Sequence, residues 1–112
     1  MELSQLQYFR VTAQMEHFTR AAEQLHITQP SLSKAIANLE AELGAPLFDR
    51  EGKHVRLNAY GRAFLEEAEQ ILSQTEEAAF RIRDMRQGDR GQVRIEVGGQ
   101  AVLGRQFNGA TP

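Results

Sequence analysis

The chain has 112 residues, 41% of them hydrophobic and 25% charged, with a formal net charge of −2. That is the composition of one small globular domain with an appendage. The absence of cysteine excludes disulfides and thiolate metal sites, and no apolar run approaches the ~20 residues of a membrane-spanning helix. The first residues, M-E-L-S-Q-L-Q-Y-F, lack the basic and apolar regions of a signal peptide. A cytoplasmic protein without membrane contact is expected.

Glu2 to Met15 predicts a helix, because Leu3, Leu6, Phe9 and Ala13 recur at helical spacing and should pack inward. His17 falls in the loop that follows and reads as a surface residue. A second helix begins near Thr19, a natural N-cap, with Ala21, Ala22 and Leu25 as its buried stripe. His26-Ile27-Thr28 is too short for anything but a turn. Thr28 can cap a third helix, and Pro30 suits a first turn, where a missing N–H costs nothing. Leu32, Ile36, Leu39 and Leu43 form the apolar face of that helix, and Gly44 stops it. At ~100° per residue, Pro30, Lys34, Ala37, Asn38 and Ala41 face away from this stripe, with Ser33 at its edge and Gln29 at the exposed start. This is the pattern of a helix-turn-helix, in which the second helix offers its N-terminal outer face to a DNA groove. The acidic overall balance argues against nucleic acid, but the segment from Leu25 to Leu39 holds Lys34 and no acid.

Leu47 to Leu57 predicts a hairpin around the turn-rich run Asp49-Arg50-Glu51-Gly52-Lys53, with Leu47, Val55 and Leu57 leaning on the helices. A hairpin in this place makes a wing, and Lys53 and His54 at its tip suit phosphate contact. From Ala59 to about Gln87 a single long helix is expected, with Asn58 as its cap. In that helix Phe64, Ala68, Ile71, Thr75, Ala78, Ile82 and Met85 step alternately by four and three, the 3.5-residue repeat of a coiled-coil seam. Leu65, Leu72 and Ala79 flank it. About 28 residues give a rod of ~42 Å, too long for a domain of this size to cover, so pairing with a second copy is expected. Gly88-Asp89-Arg90-Gly91 reads as a hinge, and Gln92 to Gly98 alternates like a strand.

The runs A-A-E-Q-L-H-I-T-Q-P-S-L-S, L-E-x-E-L-G-x-P-L-F-x-R and L-x-x-x-G, in one register without gaps, resemble the N-terminal domain of LysR-type transcriptional regulators. Asn58 stands where that family often has Thr, and Tyr60 where it often has Ala. The resemblance implies that Arg50, which follows the Leu47-Phe48 pair, takes part in DNA contact and that the long helix pairs two subunits. It further implies that Gln92 to Gly98 begins an effector-binding domain of which most is missing here, so that the chain is expected to be a fragment or a truncated product. Higher oligomers would need that domain.

The expected architecture is therefore mainly α: a winged helix-turn-helix with a two-stranded β wing over residues 1–58, a coiled-coil linker helix over 59–87, and a hinge with a strand stub over 88–112. The candidate DNA contacts are Thr28, Gln29, Pro30, Ser31, Ser33, Lys34 and Asn38 on the second motif helix, and Arg50, Lys53 and His54 on the wing. The candidate dimer residues are Phe64, Ala68, Ile71, Leu72, Thr75, Ala78, Ile82 and Met85. The expected partner is double-stranded DNA, bound by a homodimer. No cofactor, metal or enzymatic chemistry is expected: Ser31 and Ser33 lack a triad, and Gly98-Gly99 lacks the rest of a phosphate loop. The other reading is a coiled-coil interaction module, or a truncated subunit, with no DNA target of its own. The small polar groups on the second motif helix separate the two, since a protein interface favours aromatic or branched anchors.

Overall fold

The computed structural model describes residues 1–91. Its elements are α1 (Leu3–Met15), α2 (Phe18–Leu25), α3 (Gln29–Leu43), the strands β1 (Phe48–Glu51) and β2 (His54–Leu57), and α4 (Ala59–Gly91). The expected mainly helical winged helix-turn-helix is the fold found. The chain divides into two compact units, Met1–Thr75 and a second beginning at Glu76.

In the first unit α1, α2 and α3 enclose one apolar core of Leu6, Phe9, Phe18, Ala21, Ala22, Leu32, Ile36 and Leu39, all buried. Leu3, expected to point inward, is 48% exposed. Thr12 takes a core position instead, its hydroxyl donating to the Tyr8 carbonyl at 2.7 Å. Phe9 is the centre of an aromatic chain. Its ring lies 5.5 Å from Phe48 on β1 and 5.3 Å from Phe64 on α4, both tilted, within the 4.5–7 Å range in which aromatic pairs attract.

The helix ends are set by local chemistry. Glu2 and Gln5 form a reciprocal capping box on α1. The Thr28 hydroxyl accepts the Ser31 N–H at 3.2 Å, Pro30 lies in the first turn, and Gly44 closes α3. Asn58 caps α4: its Oδ1 accepts the Gly61 N–H at 2.8 Å, while its Nδ2 donates to the Pro46 carbonyl at 2.9 Å. Thr19 is not the cap of α2. That helix starts one residue earlier, and the His17 side chain accepts the Arg20 N–H. An imidazole can do what a hydroxyl does, because a neutral ring presents one nitrogen as an acceptor.

The two strands pair antiparallel with Phe48 opposite Leu57 and Glu51 opposite His54. Gly52 opens the turn at φ +60, a conformation that two-residue hairpin turns require at their first central position. Leu47, Phe48 and Val55 are buried beneath the hairpin. A two-stranded sheet is marginal by itself. Here the hairpin is also hydrogen-bonded to the junction of α1 and α2, with the N–H of Phe18, first residue of α2, donating to the carbonyl of Lys53 in the turn at 3.0 Å and the Val55 N–H of β2 to the Glu16 carbonyl at 3.2 Å.

The start of α4 closes the core from the other side. A Cβ at Gly61 would lie 2.1 Å from the Leu47 carbonyl oxygen, so only glycine lets the helix approach the strand entry so closely. Ala68 and Leu72 are fully buried and Phe64 and Leu65 partly so. Phe64, Ala68 and Leu72, expected on the seam between two copies, thus pack inside their own chain. Heptad spacing specifies an apolar face but not its partner, and the first turns of α4 lie within reach of the domain. Ile71, by contrast, is 40% exposed. In the second unit Ile82, Met85 and Phe80 are exposed, and Glu77 pairs with Arg81 at 3.7 Å.

The expected hinge at Gly88-Asp89-Arg90-Gly91 is helix instead, since α4 runs through Gly91. Glycine costs a helix about 1 kcal/mol relative to alanine but, unlike proline, removes no hydrogen bond. The expected strand over Gln92 to Gly98 lies outside the described residues.

Candidate nucleic-acid interface

Thr28, Pro30, Ser31, Lys34 and Asn38 are exposed on the outer side of α3, and Gln29 and Ser33 are half-buried at its margin. The opposite side carries Leu32, Ile36 and Leu39 into the core, so the outer face is fixed in orientation by packing. Its polar groups are already linked. Gln29 Nε2 donates to Ser33 Oγ at 2.6 Å, and Thr28 Oγ1 donates to Ser31 Oγ at 2.8 Å. The first link spans one helical turn and holds the Gln29 amide along the helix, with its carbonyl oxygen and the Ser33 hydroxyl proton left for a further partner. Such groups match base edges: Gln pairs with adenine, and Ser either accepts or donates. Neither Lys34 nor Lys53 enters an ion pair among the described residues.

The wing brings Arg50, Lys53 and His54 together on one hairpin, all exposed. Arg50 is the most constrained. Its Nη2 lies 3.2 Å from Glu40 Oε1, and its guanidinium sits 4.8 Å from the centroid of the Phe18 ring, within cation–π range. His54 is edge-on to His17, with ring centroids 5.0 Å apart, and the two residues form an isolated backbone bridge. Sequence reasoning missed both His17 and Glu40. Glu40 is unmarked because Leu47 and Arg50, which it holds, lie beyond α3. His17 caps α2 locally, but imidazole is an uncommon cap and its pairing with His54 comes from β2.

A family model described as "Bacterial regulatory helix-turn-helix protein, lysR family" matches residues 3–62, more than half of the chain. The chain belongs to the lysR family. Its relatives include the Hca operon transcriptional activator HcaR of Escherichia coli, 50% identical over 90 residues, which cover 80% of this chain and 30% of that protein. An uncharacterised HTH-type transcriptional regulator, YybE of Bacillus subtilis, is 44% identical over 95 residues, 85% of this chain and 32% of that one. The chain therefore spans about a third of the length of these relatives. Among solved structures, the DNA-binding domain of CbnR in complex with DNA superposes with TM-score 0.73 at 38% identity, covering 76% of this chain and 98% of that one. The BenM DNA-binding domain on its benA site 1 DNA superposes with TM-score 0.74 at 36% identity, covering 79% and 99%.

One feature of this LysR-family domain is sensitive to protons. Partial burial holds the His17 imidazole below its ordinary pKa; the nearby His54, Arg20 and Lys53 act in the same direction, and Glu23 opposes them. His17 must also stay unprotonated at Nδ1 to accept the Arg20 N–H. The unfolded chain therefore takes up this proton more readily than the folded one, and stability rises with pH. The contribution is complete above the ordinary imidazole value of about 6.5. It is lost as pH falls below that value toward the lowered one of His17. Thermal melts of the wild-type chain from pH 7.5 to 5 should show a fall in midpoint that is smaller in His17→Asn, because asparagine caps equally well without titrating. An equal fall in both proteins would exclude His17 as the group responsible.

Proposed function

We propose that this chain is the DNA-binding part of a LysR-type transcriptional regulator, acting on double-stranded DNA in the bacterial cytoplasm. The observation that carries the proposal is the exposed, acid-free outer face of α3 from Thr28 to Asn38, beside a basic wing, in a fold shared with domains solved on DNA. In this reading α3 enters the major groove. Gln29 and Ser33 address base edges, and Thr28, Pro30, Ser31 and Asn38 line the approach. Lys34, and on the wing Arg50, Lys53 and His54, meet phosphates. The role is regulation rather than catalysis, as in the regulators it resembles.

The active unit is proposed to be a homodimer paired through α4. The exposed members of the heptad series, Ile71, Thr75, Ala78, Ile82 and Met85, form the pairing face. Phe64, Ala68 and Leu72 support it from within each subunit. The division into a winged domain over residues 1–58 and a linker helix beyond follows from these roles.

Fluorescence anisotropy at two salt concentrations tests the reading, using a duplex that the wild-type chain selects from a randomised library. Gln29→Ala or Ser33→Ala should each cost about 1–3 kcal/mol and relax base preference. Lys34→Ala should weaken binding to all sequences and flatten the salt dependence by about one unit. Binding unchanged by all three substitutions would remove α3 from the interface.

A further inference from the structure

The wing and α3 are joined at one side chain. Glu40, near the end of α3, is mostly shielded from solvent, its side chain 16% exposed. Its two carboxylate oxygens have separate tasks. Oε2 accepts the Leu47 N–H at 2.7 Å, and Oε1 accepts from Arg50 Nη2 at 3.2 Å. The Glu40 carbonyl also accepts the Gly44 and Ala45 N–H groups, at 2.8 and 3.2 Å. One residue thus holds the helix exit, the approach to β1 and the middle of β1. Arg50 in turn is held from two sides, by the carboxylate on α3 and by the Phe18 ring at the start of α2.

We propose that Glu40 is a positioning residue for DNA binding: its carboxylate sets the wing, and Arg50 with it, against the recognition face of α3. This rests on the DNA-binding reading above. Simple electrostatics and positioning have opposite signs at this residue. An acid close to a phosphate-binding surface lowers the local positive potential and opposes association, so its removal should tighten binding if charge is all that matters. If the carboxylate orients Arg50 and the wing, removing it should weaken binding. A neutral amide cannot replace it, because glutamine offers one acceptor oxygen where two donors converge, and it turns an NH2 group toward one of them.

The experiment uses the intact chain and the duplex selected by the wild type. Glu40→Gln is expected to bind about tenfold more weakly, the effect of losing one hydrogen bond to a charged group. Arg50→Lys keeps the charge but lacks the planar guanidinium that reaches Glu40 Oε1 while lying over the Phe18 ring; it should show a similar loss. In the Arg50→Lys background, Glu40→Gln should cost less than it does alone. Amide NMR spectra without DNA supply a second readout. The Leu47 signal should move in Glu40→Gln, and the shifts should extend along the wing to Lys53 and His54. Melting curves check that each variant is folded, and both readouts are taken at a temperature where it is; Arg50→Lys decides the matter if Glu40→Gln does not fold. Wild-type affinity or tighter binding in folded Glu40→Gln, or shifts confined to α3, would overturn the proposal. Failure of the wild-type chain to select any duplex would instead sink the DNA-binding reading itself.

Discussion

Phe9→Ala should remove about 3–5 kcal/mol of stability, the usual cost of deleting a buried phenylalanine. Phe9 is fully buried, and its ring touches Phe48 on β1 and Phe64 on α4. The substitution opens a cavity where α1, β1 and α4 meet. A small domain has only about 5–15 kcal/mol in total, so the variant will be partly unfolded under ordinary conditions. Urea titration followed by circular dichroism should show a lower midpoint with an unchanged slope. Phe9→Leu, which keeps most of the volume, should lose far less. A loss under about 1 kcal/mol for Phe9→Ala would mean that the wing and α4 are not anchored through this ring.

The second large effect concerns pairing. Ile71 and Ile82 are the largest β-branched members of the proposed seam on α4, and both are exposed in the single chain. If two copies meet there, an aspartate at either position buries an unpaired charge or separates the helices. Ile82→Asp should sediment as a monomer at micromolar concentration where the wild type is a dimer. Its affinity for a duplex carrying two half-sites should fall about 100-fold or more, the advantage that linking two binding events confers, while single half-site binding is kept. Phe80 lies about half a turn around the helix from Ile71, and Phe80→Asp should leave the dimer intact. A wild-type chain that sediments as a monomer at this concentration would end the dimer proposal.

The contacts that these two variants probe differ in origin, and so does their visibility in the sequence. The helix-turn-helix was legible because its signals are local. Thr28, Pro30 and Gly44 mark the ends of α3 by backbone chemistry, and Leu32, Ile36 and Leu39 mark its inner face by periodicity. The outer face then follows by elimination, so the candidate contacts from Gln29 to Asn38 come from helical spacing alone. The Asn58 cap and the Gly52 turn were legible for the same reason.

What only the tertiary structure decided is where residues distant in sequence meet. Glu40 and Arg50 are ten positions apart and belong to different elements; neither shows in sequence that the other will hold it. His17 looks like an ordinary loop residue until β2 is folded against it. On α4, a single apolar periodicity covers two environments. Ala68 and Leu72 turn into the domain, while Ile71 and Ile82 remain outside. The repeat of a helix records that a face will be buried, because apolar side chains leave water wherever they can. Which surface does the burying depends on how close the rest of the chain comes, and that is set by the packing of Phe9, Leu47 and Gly61 rather than by the helix itself.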